Sequence, residues 1–311
     1  MVNWKQVVDD TVGIIRSFLD RGVTPTLRTV FYALVSKNAI PNTISAYKRL
    51  SSVLVKARKN NKIEWEWIAD ETRETRGGDH TYYEPGAFAK SYVDYIINAY
   101  QHYNYPKWMN QPVYIECWIE KFALAGTFNN WLSELNVVLV PSKGYSSWTF
   151  LKKAFDRIAD ATEEQHQKVI LLYFGDFDPS GVDIERFLTD AMFWFGIDVE
   201  VKRIAITKDQ VTQYNLPSVP EDASEIAKLQ RDPRYKTWEH GLFRVELDAL
   251  LAFVPDEFER IIKGSVQQYF DEDIYETVQE EERQAKLKVK ETIMKLLREE
   301  LGKTEDSNSE E

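Results

Sequence analysis

Apolar residues recur at helical spacing from Val2 to Leu19, with Val7, Val8, Val12, Ile15 and Phe18 on one side. Arg21-Gly22 then turns the chain. Thr24-Pro25 places a proline at a helix start leading through Thr26 to Val35, and Ile40-Pro-Asn-Thr43 opens a third helix through Lys56-Ala-Arg58. After Asn60-Asn61 the alternation in Lys62-Ile-Glu-Trp-Glu-Trp-Ile68 predicts a strand. Thr72 to Asp79 reads as a turn-rich linker, and Pro85 to Tyr103 as a helix closed by Pro106 and Pro112.

From Pro112 onward the periods alternate. Val113–Ile119, Asn136–Pro141, Val169–Phe174 and Val199–Ile206 read as strands, with helices predicted over Lys121–Leu135, Trp148–Ala159 and Gly181–Phe195 between them. Val169 to Phe174 is apolar without alternation, as a parallel strand covered on both faces requires. Four strands joined by three crossover helices make a parallel, Rossmann-like α/β domain. The expected organisation is an N-terminal helical module with one strand over residues 1–75, winged-helix-like in order, and a linker with one helix over 76–111. The α/β domain follows over 112–220, then a helical, acid-rich extension over 221–311 that frays from about Lys303. No internal repeat is present.

The chemistry gathers at strand ends. Asp176 and Asp178 follow the apolar strand on a strand-to-helix turn, at the carboxyl edge where open α/β sheets place ligands. Carboxylates two residues apart in extended chain project to the same side, so both can offer oxygen to one hard cation. Glu120 ends the first strand in the same way. Three acids converging there repel unless a cation neutralises them, which points to Mg2+, with Mn2+ as substitute, over Zn2+, whereas any one of them alone also reads as a helix N-terminal charge complementing the dipole. No pair among His80, His102, His166 and His240 has metal-ligand spacing. Glu116, inside the first strand, is either a further ligand or a solvent-facing edge residue. Lys143-Gly-Tyr-Ser-Ser147 opens a helix whose free N–H groups and lysine suit a phosphate, and an ordinary Ser cap explains it equally.

Charge changes the picture of the first module. The chain of 311 residues has a net charge of -11, which by itself argues against a polyanionic partner. The charge is segregated, however: Arg21 to Lys62 holds nine Lys or Arg and no Asp or Glu, whereas Asp271 to Glu311 holds fourteen acids against seven bases. Arg28, Lys48, Arg49, Lys56, Arg58 and Lys59, with Lys143, are therefore the candidate DNA contacts, unless the module's lysines merely solvate its surface. One cysteine, Cys117, excludes a disulfide framework and a thiolate zinc site and suits a reducing compartment. The opening reads as an amphipathic helix rather than a secretory leader, and no apolar run approaches 18 residues. A cytoplasmic protein without membrane contact, nucleoid-associated if bacterial, is expected.

The acid after strand one, in Trp118-Ile-Glu-Lys-Phe-Ala-Leu, and the Asp-x-Asp after strand three, in Gly175-Asp-Phe-Asp-Pro-Ser-Gly, resemble the toprim domain of topoisomerases and related nucleases. The Asp-Pro-x-Gly continuation resembles more narrowly the A subunit of topoisomerase VI and its meiotic double-strand-break relatives. That family carries a winged helix before the toprim, with an Arg four residues ahead of a catalytic Tyr in an aromatic pair; here Arg28-Thr-Val-Phe31-Tyr32 stands in that order. Arg203-Ile-Ala-Ile-Thr, the Leu216-Pro pair and Val245-Glu-Leu-Asp-Ala-Leu250 also resemble uncharacterised bacterial and phage winged-helix–toprim proteins of similar length.

The resemblance implies that Asp176 and Asp178 hold Mg2+ and that Glu120 holds a second ion or acts as general acid/base. It makes Tyr32 the nucleophile on a DNA phosphorus, with Arg28 stabilising the developing charge. A phenol of pKa about 10 needs a cation or base to attack at neutral pH, which sets Tyr32 against a toprim edge supplied by a second protomer of a homodimer. Tyr32 also suits the module's core beside Leu27, Val30, Phe31 and Leu34, and Tyr47 is a second candidate. No ATPase of the kind that drives topoisomerase VI is present in this chain, so strand passage would need a separate ATPase subunit. Cleavage needs none. Nuclease action with water at the same acids, or a DNA-binding or regulatory subunit acting with a partner, are the competing expectations.

Overall fold

The computed structural model describes residues 2–69, 84–142, 146–162, 167–219 and 222–307. Lys143 and the linker over 72–79 lie outside the described residues. In chain order the elements are α1 (Trp4–Leu19), α2 (Leu27–Ser36), α3 (Ile44–Lys59), α4 (Pro85–Asn98), β1 (Val113–Ile119), α5 (Ala125–Leu132), β2 (Val138–Pro141) and α6 (Trp148–Thr162). There follow β3 (Lys168–Phe174), α7 (Pro179–Phe195), β4 (Val199–Ala205), α8 (Lys208–Gln213), α9 (Ala223–Arg231), α10 (Leu247–Phe253), α11 (Pro255–Gln267) and α12 (Glu272–Ser307). Two compact units result. One is Met1–Glu74 with Pro112–Tyr269, the other Thr75–Gln111 with Phe270–Glu311.

The sheet of the first unit is parallel throughout, in the order β2-β1-β3-β4. Its order reverses between β1 and β3, because β2 lies to one side of the first strand while β3 and β4 lie to the other. Doubly wound sheets open a ligand crevice at that switch point, outside the carboxyl ends of the strands. Alternate residues feed the two faces. Trp118, Leu171 and Tyr173 pack with Leu151, Ala154 and Ile158 of α6 and Ile184, Leu188 and Met192 of α7. On the opposite face Phe174 meets Phe128 of α5 edge-to-face at 5.0 Å, and Phe128 meets Phe258 of α11 at 5.8 Å. Burying aromatic and branched side chains of this size stabilises the fold by about 1.5–3 kcal/mol each.

In the same unit α1, α2 and α3 pack on one another, with Ile14, Ile15, Val30, Phe31, Leu34 and Leu50 buried. Thr26 and Thr43 cap α2 and α3 through their side-chain oxygens. The strand expected over Lys62–Ile68 is not formed. A 3-10 turn, Trp65–Trp67, stands there, and only Ala69 makes a bridge, to Thr26. The alternation reflects one-sided burial instead: Ile63 and Ile68 turn inward, while the Arg58 guanidinium donates to the carbonyls of Trp65 and Ile68 and stacks on the Trp65 ring. The Lys121–Leu135 helix begins as a 3-10 turn, Phe122–Leu124, before α5.

The residues after 221 do not form one extension. Those up to Tyr269 belong with the sheet, where Phe177 and Val245 exchange both backbone hydrogen bonds at 2.8 and 3.0 Å and α10 packs along α2. In the second unit α4 ends at Asn98 and a 3-10 turn, Ala99–His102, follows. Glu282 of α12 accepts from the Tyr105 N–H at 2.7 Å, and Lys286 donates to Asn104 at 2.9 Å. Helix α12 runs from Glu272 to Ser307. No helix among the described residues is long and apolar enough to cross a membrane.

Candidate metal and phosphate site

The backbone sets the site before any side chain does. The Glu120 N–H continues the ladder by donating to Phe174 O at 2.9 Å, which fixes Glu120 beside the turn that carries Asp176 and Asp178. Asp178 caps α7, its Oδ1 accepting from the Gly181 N–H at 2.6 Å, with Pro179 at the first helical position. Gly181 is required there, since a Cβ would collide with the Asp176 carbonyl. Arg203 of β4 ties the turn from outside, donating to the carbonyls of Gly175, Asp176, Gly181 and Ile206.

The three expected acids are brought together, in different states. Glu120 Oε2 accepts from the Tyr173 hydroxyl at 3.1 Å and from the Asp176 N–H at 3.0 Å. Burial raises its pKa and the Asp178 charge raises it further, against the pull of those two donors. Asp176 is drawn away from the pair. Its Oδ1 accepts from the Leu247 N–H at 2.7 Å and its Oδ2 lies 3.5 Å from Lys121 Nζ. Burial holds this carboxyl well above its usual range, with Lys121 opposing.

Lys121, Glu246 and Asp248 join the site without having been expected there. The Lys121 ammonium lies 2.8 Å from Asp248 Oδ2 and 3.7 Å from Glu246 Oε1. Burial would lower its pKa, but Asp176, Asp248 and Glu246 together hold it well above the lysine range. Asp248 Oδ1 also accepts from the hydroxyls of Thr26 at 2.6 Å and Thr29 at 3.2 Å. The cation that convergent acids demand is thus supplied from within the chain, by the residue next to Glu120. The sequence carries two signals of this: that adjacency, and the Glu-x-Asp of Glu246-Leu-Asp248, which repeats the spacing of Asp176 and Asp178. Nothing local says that the second pair folds back against β3.

Arg28 and Tyr32, one helical turn apart on α2, reach the same oxygen. Arg28 Nε lies 3.0 Å from Glu246 Oε2 and the Tyr32 hydroxyl donates to it at 3.3 Å. The edge that Tyr32 meets belongs to its own chain. Tyr32 is fully buried, and burial and then Glu246 push its pKa well up, outweighing Arg28 and Lys121. Arg28 lies over the Tyr47 ring at 4.5 Å.

A cavity of about 380 Å³ opens here, with Arg28, Lys48, Tyr47 and Arg244 around Asp176, Asp178 and Glu246. Lys48, Arg49, Lys56 and Lys59 lie along α3 with their ends toward solvent, whereas Arg58 is turned inward onto the 65–68 turn. Glu116 is neither an edge residue nor a ligand at this site. It is fully buried against α6, paired with the Arg157 guanidinium at 2.8 and 2.9 Å and accepting from Tyr114 and Trp118.

Among the described residues no group of three or more His, Cys, Asp or Glu side chains stands arranged to hold a metal ion. The chemistry of the donors nonetheless fits one hard cation. Glu120 Oε1 and Asp178 Oδ2 accept no hydrogen bond among the described residues, and the Asp178 charge adds to burial in raising the Glu120 pKa. No protein-family model, curated protein or solved structure matches this chain.

Proposed function

We propose that this protein cleaves DNA phosphodiesters by Mg2+-dependent hydrolysis at the edge formed by Glu120 and Asp178. The observation that carries the reading is that one cavity is lined both by acids, Asp176, Asp178 and Glu246, and by bases, Arg28, Lys48 and Arg244, while Glu120 stands next to it with its carboxylate on the Asp176 N–H. Guanidinium and ammonium groups bind the phosphate, while Glu120 and Asp178 hold the cation. A divalent ion there supplies Lewis-acid polarisation of a phosphoryl oxygen. Water oxygen forms the new bond to phosphorus, one ester P–O bond breaks, and the leaving oxygen departs with a proton.

Hydrolysis is favoured over attack by Tyr32 because that phenol is fully buried and its proton is held more tightly than in water. The toprim-like order of acids supports the same chemistry, and a winged-helix-like role for α1 to α3 supplies the DNA contact. A homodimer and a separate ATPase are needed only for strand passage. The test is supercoiled plasmid with Mg2+ or Mn2+, stopped by denaturant. Free ends that persist in Tyr32→Phe and vanish in Asp178→Ala are expected; protein-linked ends that disappear in both variants would install Tyr32 as nucleophile instead.

One observation favours a second reading, a DNA-binding or regulatory subunit without catalysis of its own. Lys121 and Arg28 already neutralise Asp176, Glu246 and Asp248, so that part of the edge is stable as a purely structural ion cluster. On that reading Asp178→Ala leaves DNA affinity intact and wild type releases no ends.

A further inference from the structure

We infer that Lys121 occupies a second cation position at this edge, so that the site takes one divalent ion and never two. The inference rests on the metal reading above for the first ion and on geometry for the second. Three carboxylates from two separate parts of the chain converge on one ammonium nitrogen. Asp176 comes from the β3 exit, and Glu246 and Asp248 from the start of α10, at 3.5, 3.7 and 2.8 Å. At these distances the three carboxyl groups gather around one fixed positive charge, the one thing that relieves their mutual repulsion.

The remaining oxygens explain why a divalent ion does not displace it. Asp176 Oδ1 is held by the Leu247 N–H at 2.7 Å, and Asp248 Oδ1 is shared by Thr26 and Thr29. Glu246 Oε2 is held by Arg28 and Tyr32. Each carboxylate therefore turns one oxygen to Lys121 and commits the other to the protein. A second divalent ion would have to expel a tethered ammonium from the middle of this shell. The lysine begins the loop directly after Glu120, so the covalent chain delivers the fixed charge beside the exchangeable one. Two-ion phosphodiester cleavage places a metal at each of two positions; here the side chain fills one of them, and Lys121 is a positioning residue that sets the ion count and holds α10 against the β3 turn.

The test counts ions on the full-length protein, by calorimetric titration with MnCl2 and by electron paramagnetic resonance of free Mn2+. Wild type is expected to bind one Mn2+, and Asp178→Asn none. Lys121→Met removes the ammonium while keeping the stem, and should bind two; adding Asp248→Asn should return the count to one. Two ions in wild type overturn the inference without any variant. So does a folded Lys121→Met, or Lys121→Gln if the first misfolds, that gains no ion over wild type. No ion in wild type but one in Lys121→Met would overturn the metal reading at Glu120 and Asp178, and with it the count of one, leaving only the part of the inference that puts Lys121 in a cation position.

Discussion

Removing the Arg157 guanidinium strands the Glu116 carboxylate in the core with only Tyr114 and Trp118 as donors. A buried charge robbed of its partner costs on the order of 3 kcal/mol, somewhat less here because Arg157 is part-exposed. Arg157→Met should lower the midpoint of urea unfolding accordingly, and Glu116→Leu with Arg157→Met should recover most of the deficit. If the single change is silent, the pair contributes nothing. Tyr32→Phe, by contrast, gives up a single hydrogen bond to Glu246 and should cost about 1 kcal/mol. At this scale the sequence is legible where a residue's neighbours are local. Glu120, Asp176 and Asp178 fall at strand ends that periodicity locates, and Arg28 and Tyr32 lie one turn apart on a helix. The role of Glu116 is hidden because its partner stands forty-one positions away on α6, and nothing in a strand's own alternation announces a buried ion pair.

At the scale of elements, the site depends on how α10 and the β3–α7 turn are held. Asp248 ties α10 to α2 through Thr26 and Thr29, and to the β1 exit through Lys121. Burial pushes its carboxyl up, yet Lys121, Thr26 and Arg28 outweigh it and hold the pKa below the ordinary value. A depressed carboxyl contributes stability that is present above its unfolded pKa, about 4, and is lost as pH falls through the folded value. Thermal midpoints should therefore drop below pH about 4 in wild type. Asp248→Asn should start lower at neutral pH and fall less steeply on acidification; parallel curves would rule out Asp248 as a source of the acid slope. Arg203, whose guanidinium gathers the carbonyls of Gly175, Asp176 and Gly181, holds the turn that carries Asp176 and Asp178. Arg203→Met is expected to weaken Mn2+ binding about 10-fold or more, as removal of the groups that orient a ligand does. An unchanged affinity would show the turn to be self-supporting. Strands and helices of this domain are readable from the sequence because each satisfies its own period. The fold-back of residues 245 to 248 is not, since its bridge to Phe177 is a pairing of two residues without any run.

At the scale of the whole molecule the question is whether segregated charge survives folding. Of the nine cations between Arg21 and Lys62, Arg21 is paired with Asp256, Arg28 with Glu246, and Arg58 is committed to the 65–68 turn. Lys48, Arg49, Lys56 and Lys59 line α3 toward solvent, so a basic face persists although the chain as a whole is acidic. A strand over residues 62–68 would make that face part of a winged helix. The face itself needs no wing, because the four residues share one helix. Each phosphate contact releases counterions, so DNA affinity should fall with salt by a slope of about 0.9 per contact. Replacing Lys48, Lys56 and Lys59 with Gln should flatten that slope by roughly one for every phosphate no longer bound, and leave the unfolding midpoint alone. Arg58→Ala should do the reverse, lowering the midpoint while sparing the slope, because its guanidinium answers backbone carbonyls and not solvent. A slope indifferent to the three lysines would mean that the basic face only keeps the module in solution, and that DNA, if it binds, is met by Arg28 and Arg244 around the cavity.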